Sequence, residues 1–213
     1  MHAIAWRRAA GWAAVAIPVL MWVDFLTMGI SRAGYNLLTR PFSDLATTGT
    51  PNAAIFSAGF FFLPGILTVL LGVGLSFGVP GNLAWRLGAA MVMVAGVFLV
   101  FTGVFPQDPR VPMAAILHGT VSQVCFGIAS AAPLVLFAGS RGRLHMPAPR
   151  RLWLGLGVAS LAIEAFGVLV RPATHLPYGV FQRPFTVVLT AFFVTTGFWL
   201  LRGRQIEGLS VPD

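Results

Sequence analysis

Hydrophobic residues in this chain form long runs instead of thin stripes. Six stretches, roughly 9–30, 52–78, 84–105, 112–138, 152–170 and 183–202, are nearly free of charge. Each reaches about the 20 apolar residues that a helix needs to cross a hydrocarbon core about 30 Å thick. Backbone facing lipid must satisfy its own hydrogen bonds, so runs of this length predict helices and not strands. The breaks between them carry turn chemistry: Thr50-Pro51-Asn52, Val79-Pro80-Gly81-Asn82, Pro106 through Pro112, Pro147 through Arg151, and Arg171-Pro172 through Pro177. The pattern predicts an all-α, polytopic membrane bundle of six transmembrane helices, with residues 1–213 as a single integral membrane domain.

Composition sharpens that reading. Of the 213 residues, 57% are apolar and 9% charged, against about 45–50% and about 25% in ordinary soluble domains. No long polar stretch offers room for a second folded unit. The first run resembles a signal peptide, with Arg7 and Arg8 before it, but its length and its lack of a small-residue cleavage site make it the first span. Cys125 is a lone cysteine, which excludes a disulfide framework and a CxxC site.

All 14 basic residues are arginine. They sit at the ends of apolar runs, where arginines snorkel to head groups, instead of clustering on one face as nucleic-acid binding requires. The amino terminus, the second and fourth loops and the tail hold Arg7, Arg8, Arg86, Arg141, Arg143, Arg150, Arg151, Arg202 and Arg204; the other loops hold Arg32, Arg40, Arg110, Arg171 and Arg183. The positive-inside bias therefore predicts both termini in the cytoplasm.

Candidate chemistry lies in the polar residues that a bilayer makes expensive, since a centred charge costs at least about 2.5–3.5 kcal/mol on insertion scales. Asp24 stands six residues before the end of the first run, Glu164 six before the end of the fifth, and His118 six after Pro112 opens the fourth. At 1.5 Å per residue each is roughly 9 Å below the same surface. Ser122 and Cys125 continue the His118 face, and the odd-numbered loops add Ser43, Asp44, Asn52, Asp108, His175 and Arg183. Convergence of Asp24, His118 and Glu164 with Arg183 on one outer pocket would relieve several penalties together. The plainer reading is that the carboxylates and histidine fasten helices to one another. Tyr178, Phe181 and Phe185 read as interfacial anchors, and Asp108 as a turn former. Glycines such as Gly59, Gly65, Gly155 and Gly157 read as sites of close helix approach.

No HExxH, GxSxG or phosphate-cradling glycine loop is present. A single histidine with two carboxylates is a weak metal motif, so no metal site is assigned, and the sequence specifies no cofactor.

The loops also carry a resemblance. Pro41-Phe42-Ser43-Asp44-Leu45-Ala46, then Thr50-Pro51-Asn52-Ala53, then Gly103-Val104-Phe105-Pro106-Gln107-Asp108 followed by His118 resemble the bacterial membrane family catalogued as domain of unknown function 998. Tyr178-Gly179-Val180-Phe181-Gln182-Arg183 resembles that family's approach to its last helix, where a glutamate is expected more often than Gln182. The resemblance implies a six-helix fold in a bacterial cytoplasmic membrane and an outward cluster around the Ser-Asp, Phe-Pro-x-Asp, His and Arg positions, without an assigned reaction. More distantly the chain is similar to Frag/DRAM-type membrane proteins associated with lipid handling, an analogy of fold.

Three functions fit these residues. The leading one is an outward-facing polar pocket that binds a membrane lipid or other amphiphile, with Arg183 at an anionic head group. The alternatives are a membrane-embedded hydrolase or transferase using His118 and nearby carboxylates, and an accessory subunit of a homo-oligomer or larger membrane complex. A proton-coupled transporter fits less well, because the inner halves of the runs lack ionisable groups. Pro41 is placed to open a short helix whose Phe42 and Leu45 would lie on the bundle as a lid.

The arginine asymmetry generates a first prediction. Accessibility labelling of single cysteines should find the 141–151 loop on the cytoplasmic side and the 40–50 loop on the opposite side. Labelling of both from one side would overturn the six-span topology.

Overall fold

The computed structural model describes residues 2–140 and 149–202. Among them, six helices are long and apolar enough to span a membrane: α1 (His2–Ser31), α2 (Ala53–Gly78), α3 (Leu83–Val104), α4 (Pro112–Gly139), α5 (Pro149–Leu169) and α6 (Tyr178–Arg202). A 3-10 turn over Phe42–Ala46 and a short helix over Arg171–Thr174 lie in the connections. The chain is thus a multi-pass helical membrane protein. Most of the 141–151 loop lies outside the described residues.

Local chemistry sets several helix ends. Asn82 caps α3, its side chain accepting from the Trp85 backbone N–H at 2.9 Å. Pro112 occupies the first turn of α4, where its missing N–H has no intrahelical partner to lose. Asn52 turns into α2 at φ +61°, a left-handed conformation that Asn tolerates. α6 begins at Tyr178, one and a half turns before the apolar run does. The polar pair Gln182 and Arg183, which marks the end of a run in the sequence, instead lies inside the helix with bonds to the loop after α1.

Helices adjacent in sequence pack side by side, and α6 returns to α1. The result is a ring of six with no helix on its axis. Small residues bring neighbours close. A Cβ on Gly65 would lie 2.8 Å from the Gly96 carbonyl oxygen, and one on Gly96 would lie 2.7 Å from the Gly65 carbonyl oxygen. Gly11 and Gly197 draw α1 and α6 together in the same reciprocal way, each facing the other's carbonyl at 3.2 and 2.9 Å. Gly157 packs on Leu134, whereas Gly155 has nothing within 4 Å and is no contact point.

Two aromatic groups close the ring at its ends. At the end bearing the termini, Trp85, Trp153 and Trp199 meet at centroid distances of 5.3–5.9 Å. The indole of Trp85 donates to the Leu75 carbonyl at 2.9 Å, and that of Trp153 to Thr196 Oγ1 at 3.0 Å, so neither buried N–H is left unmet. At the opposite end Phe25, Phe42, Phe56, Phe60 and Phe61 form a second cluster. A π-helical turn over Ser57–Phe62 in α2 accompanies the burial of the consecutive Phe60 and Phe61.

The reciprocal glycine contact generates the second prediction. Gly96→Val should destabilise the protein by about 1–3 kcal/mol, the usual cost of overpacking a close contact, read as a lower unfolding midpoint in denaturing detergent. An unchanged midpoint would mean that α2 and α3 are not locked at this crossing.

Candidate functional site: a capped chamber and its polar vestibule

The residues linking α1 to α2 fold down over one end of the ring. Pro41 starts the 3-10 turn, and Phe42, Leu45 and Ala46 are 1–3% exposed. Backbone bonds tie this segment to the connection between α3 and α4 and to the first turn of α6, Thr48 N–H donating to the Gln107 carbonyl at 2.8 Å and Gly179 N–H to the Thr39 carbonyl at 3.1 Å. Gln182 Oε1 accepts from the Phe42 N–H at 2.9 Å. A carboxylate would accept equally well there, which reconciles Gln182 with the glutamate expected at this position.

Arg183 is the centre of the cap. Its Nε donates to the Leu37 carbonyl at 2.8 Å, one terminal nitrogen to the Gly179 carbonyl at 3.3 Å and the other to the Tyr35 hydroxyl at 3.2 Å. Its guanidinium carbon stands 4.3 Å from the Phe42 ring centroid and 4.9 Å from that of Phe25. Tyr35 passes the connection on, donating to the Pro41 carbonyl at 2.9 Å. Burial pushes its phenol above the ordinary value, against the opposing pull of Arg183. Its hydroxyl therefore stays a donor at neutral pH. Arg183, expected at an anionic head group, instead spends its donors on the chain's own carbonyls and a phenol.

Below the cap the ring encloses a chamber of about 750 Å³ of free space including its mouth. Its walls come from α1, α2, α3, α4 and α6 and include Met21, Phe60, Val92 and Leu189, with Phe42 of the cap at one end. Threonines, among them Thr68, and Cys125 are the polar exceptions. Thr68 bonds back to Pro64 within its own helix, and the Cys125 thiol donates across to the Ala95 carbonyl of α3 at 3.3 Å, so neither polar group is left open to the chamber. The packing role expected of Cys125 agrees with this place.

A second, smaller cavity, about 340 Å³ of free space including its open mouth, lies beside the chamber between α4, α5 and α6. Phe126 and Phe185 line both cavities and stand 4.9 Å apart, forming the partition between them. A few polar groups, Gln123, Glu164, Tyr178 and Gln182, interrupt the mostly apolar wall of this vestibule. Gln123 donates to the Tyr178 hydroxyl at 2.9 Å, and Ser130 donates to Glu164 Oε2 at 3.1 Å. Val168, 52% exposed, stands at the rim. Phe181 and Phe185, expected as interfacial anchors, are buried as walls, and Tyr178 is half-buried beside them. Helix α6 starts early enough to carry all three inward.

The expected convergence of Asp24, His118, Glu164 and Arg183 is not what the geometry gives. Asp24 packs its carboxyl on Gly59 in the π turn, where a Cβ would lie 2.9 Å from it. The His118 ring is buried between the end of α3 and α4, its Nδ1 at 2.8 Å from the Phe105 carbonyl and its ring edge-on to Phe61. Glu164 alone lines a cavity. Depth matching fixes height along each helix and leaves rotation about the axis free, so groups at one height point to different neighbours. Among the described residues no three His, Cys, Asp or Glu side chains gather to hold a metal ion.

The loop candidates serve the cap and its turns. Ser43 is buried, its carbonyl accepting from Thr47. Asp44 pairs with Arg40 at 3.2 Å while its carbonyl accepts from Arg32. Asn52 is exposed and makes no side-chain cap bond. Asp108 closes its own turn, accepting from the Arg110 backbone N–H at 2.9 Å and pairing with its guanidinium, which holds the carboxyl below the usual carboxylate range. His175 adopts φ +54° at the end of the short helix.

Sequence reasoning missed Gln123, Phe126 and Phe185 as cavity-lining residues, and Arg171 as a neighbour of the lining residue Tyr178. Gln123 carried a signal, being an uncharged amide inside an apolar run. Arg171 was counted only for topology, yet its guanidinium lies over the Tyr178 ring at 5.0 Å. The aromatic residues carried no signal that distinguishes a cavity wall from core.

The cap generates the third prediction. Arg183→Gln removes the cation over two rings, an interaction of about 2 kcal/mol when desolvated, so hydrogen exchange of residues 37–46 should rise roughly tenfold or more. Lysine at this position should not restore protection, because it lacks the planar three-way fork. Unchanged exchange in Arg183→Gln would mean that the cap is held by its backbone bonds alone.

No curated protein and no solved structure shows a significant match to the chain. A family model, described as a protein of unknown function (DUF998), matches residues 3–199, which takes in all six helices and both cavities. On that match over nearly its whole length, the chain belongs to the DUF998 family.

Proposed function

We propose that this protein binds a membrane amphiphile, with the tail in the axial chamber and the polar end in the Glu164 vestibule. The observation that carries the reading is the pairing of the two cavities. A space of about 750 Å³, its mouth included, adjoins one of about 340 Å³, its mouth included; Phe126 and Phe185 are the shared wall, both linings are mostly apolar, and the smaller one alone carries a carboxylate, Glu164, with Gln123, Tyr178 and Gln182 around it. Ligand sites are mostly apolar with a few polar groups that fix orientation, and an amphiphile has the same division. The positive-inside reading puts the vestibule in the outer leaflet of a bacterial cytoplasmic membrane.

Two features favour binding over hydrolysis. His118 has its Nδ1 committed to the Phe105 carbonyl, and no carboxylate makes a contact with it among the described residues. The head-group role assigned to Arg183 passes to the vestibule, since Arg183 belongs to the cap.

The fourth prediction tests occupancy of the chamber. Protein purified in mild detergent should carry co-purifying lipid visible by native mass spectrometry, and Ala129→Phe, which fills the chamber from α4, should remove most of it while thermal stability is kept. Wild-type protein free of lipid, or an Ala129→Phe variant that retains lipid in full, would defeat the reading.

A further inference from the structure

Resting on that reading, we infer that the ligand is a single-chain glycerophospholipid: its acyl tail fills the chamber, its free glycerol hydroxyl donates to Glu164, and its phosphate meets Arg171 at the mouth. The argument is the order of polar groups with depth. Nearest the axis the walls are apolar. Next comes Glu164, which lines the smaller cavity; its Oε2 is held by Ser130, while Oε1, 3.8 Å from where a Cβ on Gly127 would stand, has no hydrogen-bond partner among the described residues. Nearer the end of the bundle, outside the lining itself, comes Arg171, whose guanidinium lies 5.0 Å over the ring of the lining residue Tyr178 with an Nε that lacks a partner.

Each group selects a chemistry. An open carboxylate oxygen calls for a donor and repels an anion, so a fatty acid, whose carboxylate would sit next to the partition, is disfavoured there. An arginine with unused donors at the surface calls for a phosphate, the anion its fork matches best. Seven residues separate Glu164 from Arg171, about two turns or 10 Å along the axis. Two charge-assisted contacts of about 2.8 Å each and the few bonds between a glycerol hydroxyl and its phosphate cover that interval. A lysophospholipid presents chain, hydroxyl and phosphate in this order. A diacyl lipid has an ester where the hydroxyl is needed, and it brings a second chain to a way in bounded by one pair of phenyl rings.

The test measures affinity in a non-lipid detergent for four probes: a lysophosphatidylglycerol, its diacyl counterpart, the fatty acid of equal length, and a lysophospholipid analogue lacking the central hydroxyl. The lysophospholipid should bind at least tenfold more tightly than each of the others, about the value of one hydrogen bond to a charged group. Glu164→Leu should weaken the lysophospholipid roughly tenfold and leave the deoxy analogue unchanged, a pattern that a merely misfolded variant would not give. Arg171→Gln, near the surface, should weaken the lysophospholipid and its deoxy analogue alike. If the diacyl lipid or fatty acid binds as tightly as the lysophospholipid, and Ala129→Phe abolishes that binding, the head-group assignment fails while the chamber reading stands. If the wild-type protein binds none of the four and carries no lipid, both fail.

Discussion

A ring of six helices in sequence order, with the last returning to the first, has no helix to fill its axis. Side chains must do so, and they reach inward only a limited distance from backbones held apart by the ring itself. Where glycines let neighbours approach, as at Gly65 with Gly96 and Gly11 with Gly197, the ring tightens. At one end the three tryptophans fill what is left, and at the other the phenylalanine cluster does so with help from the cap. Between them the axis stays open. The chamber is thus a consequence of topology, and the aromatic groups at its ends decide its length.

Arg183 shows how a charge is tolerated inside such a structure. Among the described residues it has no carboxylate partner. It is satisfied by two carbonyls, a phenol and two aromatic faces. Hydrogen bonds to a charged donor are the strong kind, and desolvated rings add to them. The arginine therefore stabilises the chain's own loop. An arginine so fully occupied has little left for a ligand, whereas Arg171, with one ring contact and a buried donor unmet, has much.

How much of this was legible in the sequence differs by feature. The six spans were, because about 20 apolar residues in a row have one structural solution in a bilayer. The short helix after Pro41 was also legible, since Phe42 and Leu45 share a face three residues apart. The ends of α1 and α6 were not. Arg7 and the Gln182–Arg183 pair read as boundaries, but each lies within a helix and is buried or partly buried by a neighbour. The candidate site was legible only in part. Counting residues from a helix end gives depth but not azimuth, so Asp24 at Gly59 and His118 at Phe105 fell to helix contacts, while Glu164 both bonds Ser130 of α4 and lines a cavity. Loop residues such as Asn52 and Asp108 were noticed for their polarity, although a left-handed turn and a self-closing turn account for their positions.

The closed cap also bears on how a ligand would arrive. The axial end of the chamber is shut by Phe42, held by Gln182 and Arg183, and opening it would break several hydrogen bonds and two cation–aromatic contacts together. The vestibule needs no such change. Exposed Val168 marks its rim on the side of α5, and only the Phe126 and Phe185 side chains, 4.9 Å apart, stand between it and the chamber. Side-chain rotations are far faster than loop openings. A molecule already dissolved in the bilayer meets the rim directly, without leaving the hydrocarbon. A water-soluble molecule would have to cross the cap. The lower barrier therefore lies on the lipid side, which is where an amphiphile resides.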